Sequence, residues 1–146
     1  MRKQPAGLPI DILLVEDNAA DARLTREGLK QAGIVNALHV AEDGDQALDY
    51  LYRRNGFGSE PRPNLILLDL NLPGTDGRTV LRTIKQDKNL RSIPVVVLSV
   101  SEAEADIAQS YESHANCYIP KPIEFDGFLA AVRAVEDFWF TVVRLP

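Results

Sequence analysis

Short apolar runs alternate with helical patterns along nearly the whole chain, and few folds accept that rhythm. Ile10–Val15 (IDILLV) is followed by helical spacing over residues 21–32, with Leu24, Gly28 and Leu29 on the inward side and Gly33 just past the end. A weaker strand at 37–41 precedes a helix at 44–53 built on Ala47, Leu48 and Leu51. The run 65–68 (LILL) ends at Asp69, and a helix over 76–87 carries Val80, Leu81 and Ile84. Pro94 opens 95–98 (VVVL), a polar helix spans 102–113, a short strand falls at 117–119, and a last helix runs over about 125–143. Apolar runs without polar alternation are strands covered on both faces. Strands that alternate with helices of ten or more residues imply a doubly wound parallel sheet with right-handed crossovers. Residues 54–64 (RNGFGSEPRPN), rich in Gly, Pro and polar groups, form a surface loop. Residues 1–9 read as a polar tail and 10–146 as one domain.

In such a fold the site lies outside the carboxyl ends of the strands, where the strand order reverses. The residues after the apolar runs are Glu16 and Asp17, then Asp69 with Leu70 and Asn71, then Ser99, then Lys121. Neighbouring carboxylates repel one another and suit a hard cation, and Mg²⁺ takes oxygen ligands while keeping water for a phosphate. With Lys121 it would neutralise a transferred phosphoryl group, and Ser99 could hydrogen-bond one of its oxygens. A carboxylate nucleophile forming an aspartyl phosphate is known chemistry. Singly, each residue has a plainer reading. Glu16 and Asp17 before Asn18 could cap a helix, Ser99 could cap a turn, and Lys121 could be a solvated surface charge. A carboxylate at the end of a buried strand, as at Asp69, needs a partner.

The formal net charge of -5 disfavours a nucleic-acid surface, which needs clustered Lys and Arg. The single Cys117 precludes an intrachain disulfide and fits a reducing compartment. The start MRKQPAGLP lacks the apolar core of a signal peptide, and no stretch reaches the ~20 apolar residues of a membrane span. A cytoplasmic protein is the expectation. His39 and His114 have no Cys or acid at ligand spacing and read as structural. Gly74 and Gly77 bracket a turn that tolerates positive φ.

VEDN, LLDLNLPGTDG, VVVLS and IPKP, in this order, resemble the response-regulator receiver family over about residues 10–143. The resemblance implies a flavodoxin-like fold, a five-stranded sheet in order 2-1-3-4-5 with five helices. It implies that Asp69 is the phosphoacceptor, served by a histidine kinase. It implies that Glu16 and Asp17 hold Mg²⁺ with Asp69 and the backbone carbonyl of Asn71. Ser99 takes the switch Ser/Thr position, Tyr118 the aromatic switch position and Lys121 the family's lysine. The long second loop and the Phe138-Trp139 pair are similar to the small stand-alone regulators that pair with phytochromes, which makes a phytochrome kinase the expected partner. Two rivals stand beside this reading. A phosphohydrolase with an aspartyl-phosphate intermediate would want an acid two residues after the nucleophile, where this chain has Asn71. A degenerate receiver serving only as an interaction module would have lost Asp69, Lys121 or the acidic pair.

The last helix raises one more expectation. Phe128, Val132, Val135, Trp139 and Val142 form one apolar stripe, and Phe138 and Phe140 point to its flanks. Exposed aromatics of that size mark interfaces, so a two-fold homodimer through Phe138, Trp139 and Phe140 is expected.

Overall fold

A computed structural model describes residues 10–31, 36–99 and 117–120. The elements run β1 (Ile10–Val15), α1 (Ala19–Gln31), β2 (Asn36–Ala41), α2 (Gly44–Leu51), β3 (Leu65–Asp69), α3 (Gly77–Gln86), β4 (Val95–Ser99) and β5 (Cys117–Pro120). The five strands form one sheet in order β2-β1-β3-β4-β5, every pair parallel. This is the expected doubly wound arrangement. The helices expected at 102–113 and 125–143 lie outside the described residues, as do the tail 1–9 and the aromatics of the expected dimer interface.

The apolar runs explain the layers. One face of the sheet presents Leu13, Val15, Ile66, Leu68, Val95 and Val97, packed with Ala47, Tyr50 and Leu51 of α2 and Val80, Leu81 and Ile84 of α3. The alternate residues Ile12, Leu14, Leu65, Leu67, Val96 and Leu98 are buried as well. The crossover through α1 runs outward to β2, whereas those through α2 and α3 run the other way. Right-handedness therefore sends α1 to the opposite face.

Local chemistry sets the helix ends. Asn18 caps α1, its Oδ1 accepting from the Asp21 amide at 3.0 Å and its carbonyl from the Ala22 amide at 2.9 Å. That starts the helix two residues before the position read from spacing. Asp43 caps α2 by accepting from the Gln46 amide, and Asp76 caps α3 by accepting from the Arg78 and Thr79 amides. Two expectations are corrected. Leu24 is 46% exposed, because the buried stripe of α1 is Thr25, Gly28 and Leu29, which leaves Leu24 on its flank. Gly74 does adopt a positive φ of 68°, but Gly77 does not; it is needed for space at the start of α3.

The loop 54–64 is mostly exposed, as expected, yet it is pinned. The Phe57 ring packs against Tyr50 at 5.7 Å between centroids, and the Tyr50 hydroxyl donates to the Pro61 carbonyl at 3.0 Å.

Candidate phosphoacceptor site

Strand register brings the site together. Val15 lies opposite Leu68, so the next residues on the two strands, Glu16 and Asp69, emerge side by side. The Glu16 amide still donates to the Ala41 carbonyl at 2.9 Å, which prolongs the β1–β2 ladder up to the site. On the other side Asp69 lies opposite Leu98, so Ser99 is the residue just beyond, at the end of β4. Ser99 in turn lies opposite Pro120, and Tyr118 opposite Val97. Lys121, the residue after β5, lies outside the described residues. The reversal of strand order falls between β1 and β3, at the carboxylates themselves.

Glu16, Asp17 and Asp69 each offer a carboxylate oxygen, and these oxygens lie within 4.8 Å of one another. Glu16 and Asp69 are buried and Asp17 is exposed, so the group opens to solvent on one side. Oxygens around one Mg²⁺ at about 2.1 Å stand about 3–4 Å apart, a spacing this group can meet. Among the described residues it is the one group of acids, His or Cys so placed. The helix-cap reading of the acidic pair gives way, since Asn18 does the capping; Glu16 Oε2 accepts from the Asn18 amide at 3.3 Å.

The loop after Asp69 is held by backbone. Asp69 Oδ1 accepts from the Asn71 amide at 2.9 Å, the Leu70 amide donates to the Leu98 carbonyl at 3.0 Å, and the Gly77 amide returns to the Leu70 carbonyl at 3.3 Å. A Cβ on Gly77 would collide with the Asp69 carbonyl oxygen and come within 2.6 Å of Leu70 Cα. A Cβ on Gly44 would collide with the Thr75 carbonyl oxygen, and Thr75 Oγ1 donates to Asp45 Oδ1 at 2.6 Å. The start of α2 therefore buttresses the loop after Asp69. Sequence reading missed this brace, because its parts are 30 residues apart.

His39 also differs from the sequence view. The acids it meets are remote in sequence: its Nε2 lies 3.2 Å from Asp11 Oδ1 and its Nδ1 3.6 Å from Glu60 Oε2. It ties β1, β2 and the long loop together. The structural reading of His39 agrees with this; His114 lies outside the described residues.

The sequence profile of the response regulator receiver domain matches residues 12–133. The chain belongs to the response regulator receiver family. This receiver is similar to the response regulator Rcp1 of Synechocystis sp., 48% identical over 138 residues that cover 94% of each chain. The Mn²⁺-bound crystal structure of Rcp1 superposes with a TM-score of 0.78 over 94% of this chain and 99% of that one. The bacteriophytochrome response regulator AtBRR is 42% identical, with a TM-score of 0.80 over 90% of this chain and 96% of that one. The phosphorylated cyanobacterial phytochrome response regulator RcpA is 45% identical, with a TM-score of 0.78 over 95% of this chain and 99% of that one. The receiver is thus related to phytochrome response regulators of two-component signalling. No helix among its described residues is long and apolar enough to cross a membrane.

Proposed function

We propose that this receiver accepts a phosphoryl group on Asp69 from a histidine kinase, and that the kinase is a phytochrome. The observation that carries the reading is the convergence of Glu16, Asp17 and Asp69 at the reversal point of the sheet. An Asp69 oxygen attacks phosphorus, an O–P bond forms, and the P–N bond of the phosphohistidine breaks. Its electron pair stays on the imidazole, which takes up a proton. Glu16, Asp17, Asp69 and the Asn71 carbonyl would hold Mg²⁺, which when bound supplies positive charge beside the phosphoryl oxygens. Ser99 donates to a phosphoryl oxygen, Lys121 pairs with another, and Tyr118 follows the movement of Ser99. That cascade turns a local charge into a shift between two discrete states.

The receiver acts as a stoichiometric acceptor in the cytoplasm, because Asn71 stands where a phosphohydrolase would keep its general acid. The relatives named for phytochromes support the partner; Mn²⁺ in Rcp1 supports a divalent ion here. Phosphotransfer profiling tests the partner. Purified autophosphorylated phytochrome kinases should pass their label to this chain in Mg²⁺ and fail to pass it in EDTA, while unrelated kinases transfer far more slowly. Preferential transfer from a kinase without a phytochrome module would refute the phytochrome assignment and leave the acceptor chemistry intact.

A further inference from the structure

The loop that links β3 to α3 carries Asn71 and is fastened at two points. Its first residues are tied to the sheet, through the Asn71 amide on Asp69 Oδ1 at 2.9 Å and the Leu70 amide on the Leu98 carbonyl at 3.0 Å. Its far end is tied to a different element. Thr75 Oγ1 donates to Asp45 Oδ1 at 2.6 Å, across 30 residues of sequence. Beside that bond the two backbones interlock. A Cβ on Gly44 would collide with the Thr75 carbonyl oxygen, so only glycine lets α2 come so close.

The anchor itself is held firmly. Asp43 Oδ1 accepts from the Gln46 amide at 2.7 Å and Gln46 Oε1 from the Glu42 amide at 3.0 Å, which fixes the turn between β2 and α2. Ala47, Tyr50 and Leu51 seat the helix in the core. Asp45 stands in the first turn of α2, where the helix dipole alone favours an acid. The dipole does not account for where its carboxylate goes. Oδ1 takes the Thr75 hydroxyl, and Oδ2 lies 3.2 Å from where a Cβ on Gly74 would stand. Among the described residues Asp45 forms no ion pair, and Thr75 is the side chain it holds.

Between the two fastenings the chain has one soft joint. Leu72 packs against the core, and the ring of Pro73 fixes its own φ. Gly74 sits at φ 68°, a region that glycine enters and leaves at little cost. Without the bond from Thr75 to Asp45, residues 71–73 are held from the β3 side alone and can turn about Gly74.

We propose, on the reading of Asp69 as a phosphoacceptor whose Mg²⁺ is held in part by the Asn71 carbonyl, that Asp45 and Thr75 are positioning residues for that ion. Mg²⁺ demands near-ideal octahedral geometry and tolerates little displacement of a ligand. Groups that orient a ligand from behind therefore govern affinity, although they never touch the metal. Asp45 and Thr75 do this through the loop backbone, by keeping the Asn71 carbonyl turned to the carboxylates. Their bond sets how tightly Mg²⁺ is held and leaves the transfer step at saturating Mg²⁺ unchanged.

Isothermal titration calorimetry of the full chain with Mg²⁺, beside acetyl phosphate labelling across a Mg²⁺ series, provides the test. Thr75→Val puts a methyl group in place of the hydroxyl. It should raise the Mg²⁺ Kd about tenfold and move the labelling curve to higher Mg²⁺ by the same factor, with the wild-type rate recovered at saturation. Thr75→Ser keeps the donor and Asp45→Asn keeps an acceptor without the charge, so both should bind Mg²⁺ nearly as wild type does. A bond that only stabilises the fold would lower Tm in EDTA and leave the Kd of Thr75→Val at the wild-type value, which would overturn the proposal. Labelling of Thr75→Val that stays slow at saturating Mg²⁺ would overturn it too, as would a loss of affinity in Asp45→Asn as large as in Thr75→Val, since charge would then be the cause. In each of these cases a wild type that binds Mg²⁺ and is labelled leaves the acceptor reading standing. A wild type that binds no Mg²⁺ and takes no label would bring down that reading and this proposal together.

Discussion

Gly77 and Asp69 form the tightest residue-scale relation at the site. Because a Cβ at Gly77 would run into the Asp69 carbonyl and Leu70 Cα, Gly77→Ala must push α3 away from β3. Such overpacking costs about 1–3 kcal/mol, so urea unfolding should show a loss of that size. Labelling of Asp69 should slow as well; wild-type stability and rate in this variant would show that the approach is not tight. The three carboxylates were legible in the sequence because each follows an apolar run, and a strand end fixes which edge of the sheet a residue reaches. The role of Gly77 was not. A glycine after Asp76 reads as a turn residue, and only the packing of α3 on β3 reveals that space is what it provides. The contrast between buried Glu16 and exposed Asp17 was equally hidden, since adjacent acids at a strand end look alike in sequence.

Among the elements, the strands stood out most clearly: apolar runs such as LILL, and IDILLV with its one break at Asp11, place strand bounds to within a residue. Helix faces were harder to read, as Leu24 shows, because a mixed polar helix such as α1 offers more than one plausible stripe. Tyr50 was missed altogether. It is 4% exposed, its ring meets both His39 and Phe57, and its hydroxyl reaches Pro61, so α2 and the long loop pack as one unit. Burial pushes its hydroxyl up to about 12 from 10.0, with the charges of Glu60 and Asp11 adding to the effect. The folded state thus holds this proton more tightly than the unfolded chain does. Its contribution is complete below pH ~10 and is lost as pH rises towards about 12. Tyr50→Phe, which forfeits the Pro61 bond at a cost of about 1 kcal/mol, should flatten the fall in stability across that window. An unchanged alkaline slope in chemical denaturation would show that Tyr50 ionises freely.

At the scale of the whole molecule, one sheet separates two ends with different chemistry: carboxylates where strand order reverses and a cleft of mixed charge at the amino-terminal end of the strands. The first was legible because the alternation of strands and helices dictates it. The second was not, because its walls come from α2, the loop 54–64 and the connection before β4, which only folding brings together. A cation that binds the native carboxylates stabilises the entire fold by mass action, about 2.7 kcal/mol at a hundredfold excess over Kd. Tm should therefore be higher in Mg²⁺ than in EDTA, and Asp17→Asn should shrink the difference; identical melting in both buffers would argue against the ion site. Intact-mass spectrometry after incubation with acetyl phosphate tests the proposed acceptor role of Asp69. Wild type in Mg²⁺ should gain one phosphoryl group, and both the EDTA sample and Asp69→Asn should gain none, whereas an Asp69→Asn protein that gains the group as fast as wild type would exclude Asp69 as the acceptor.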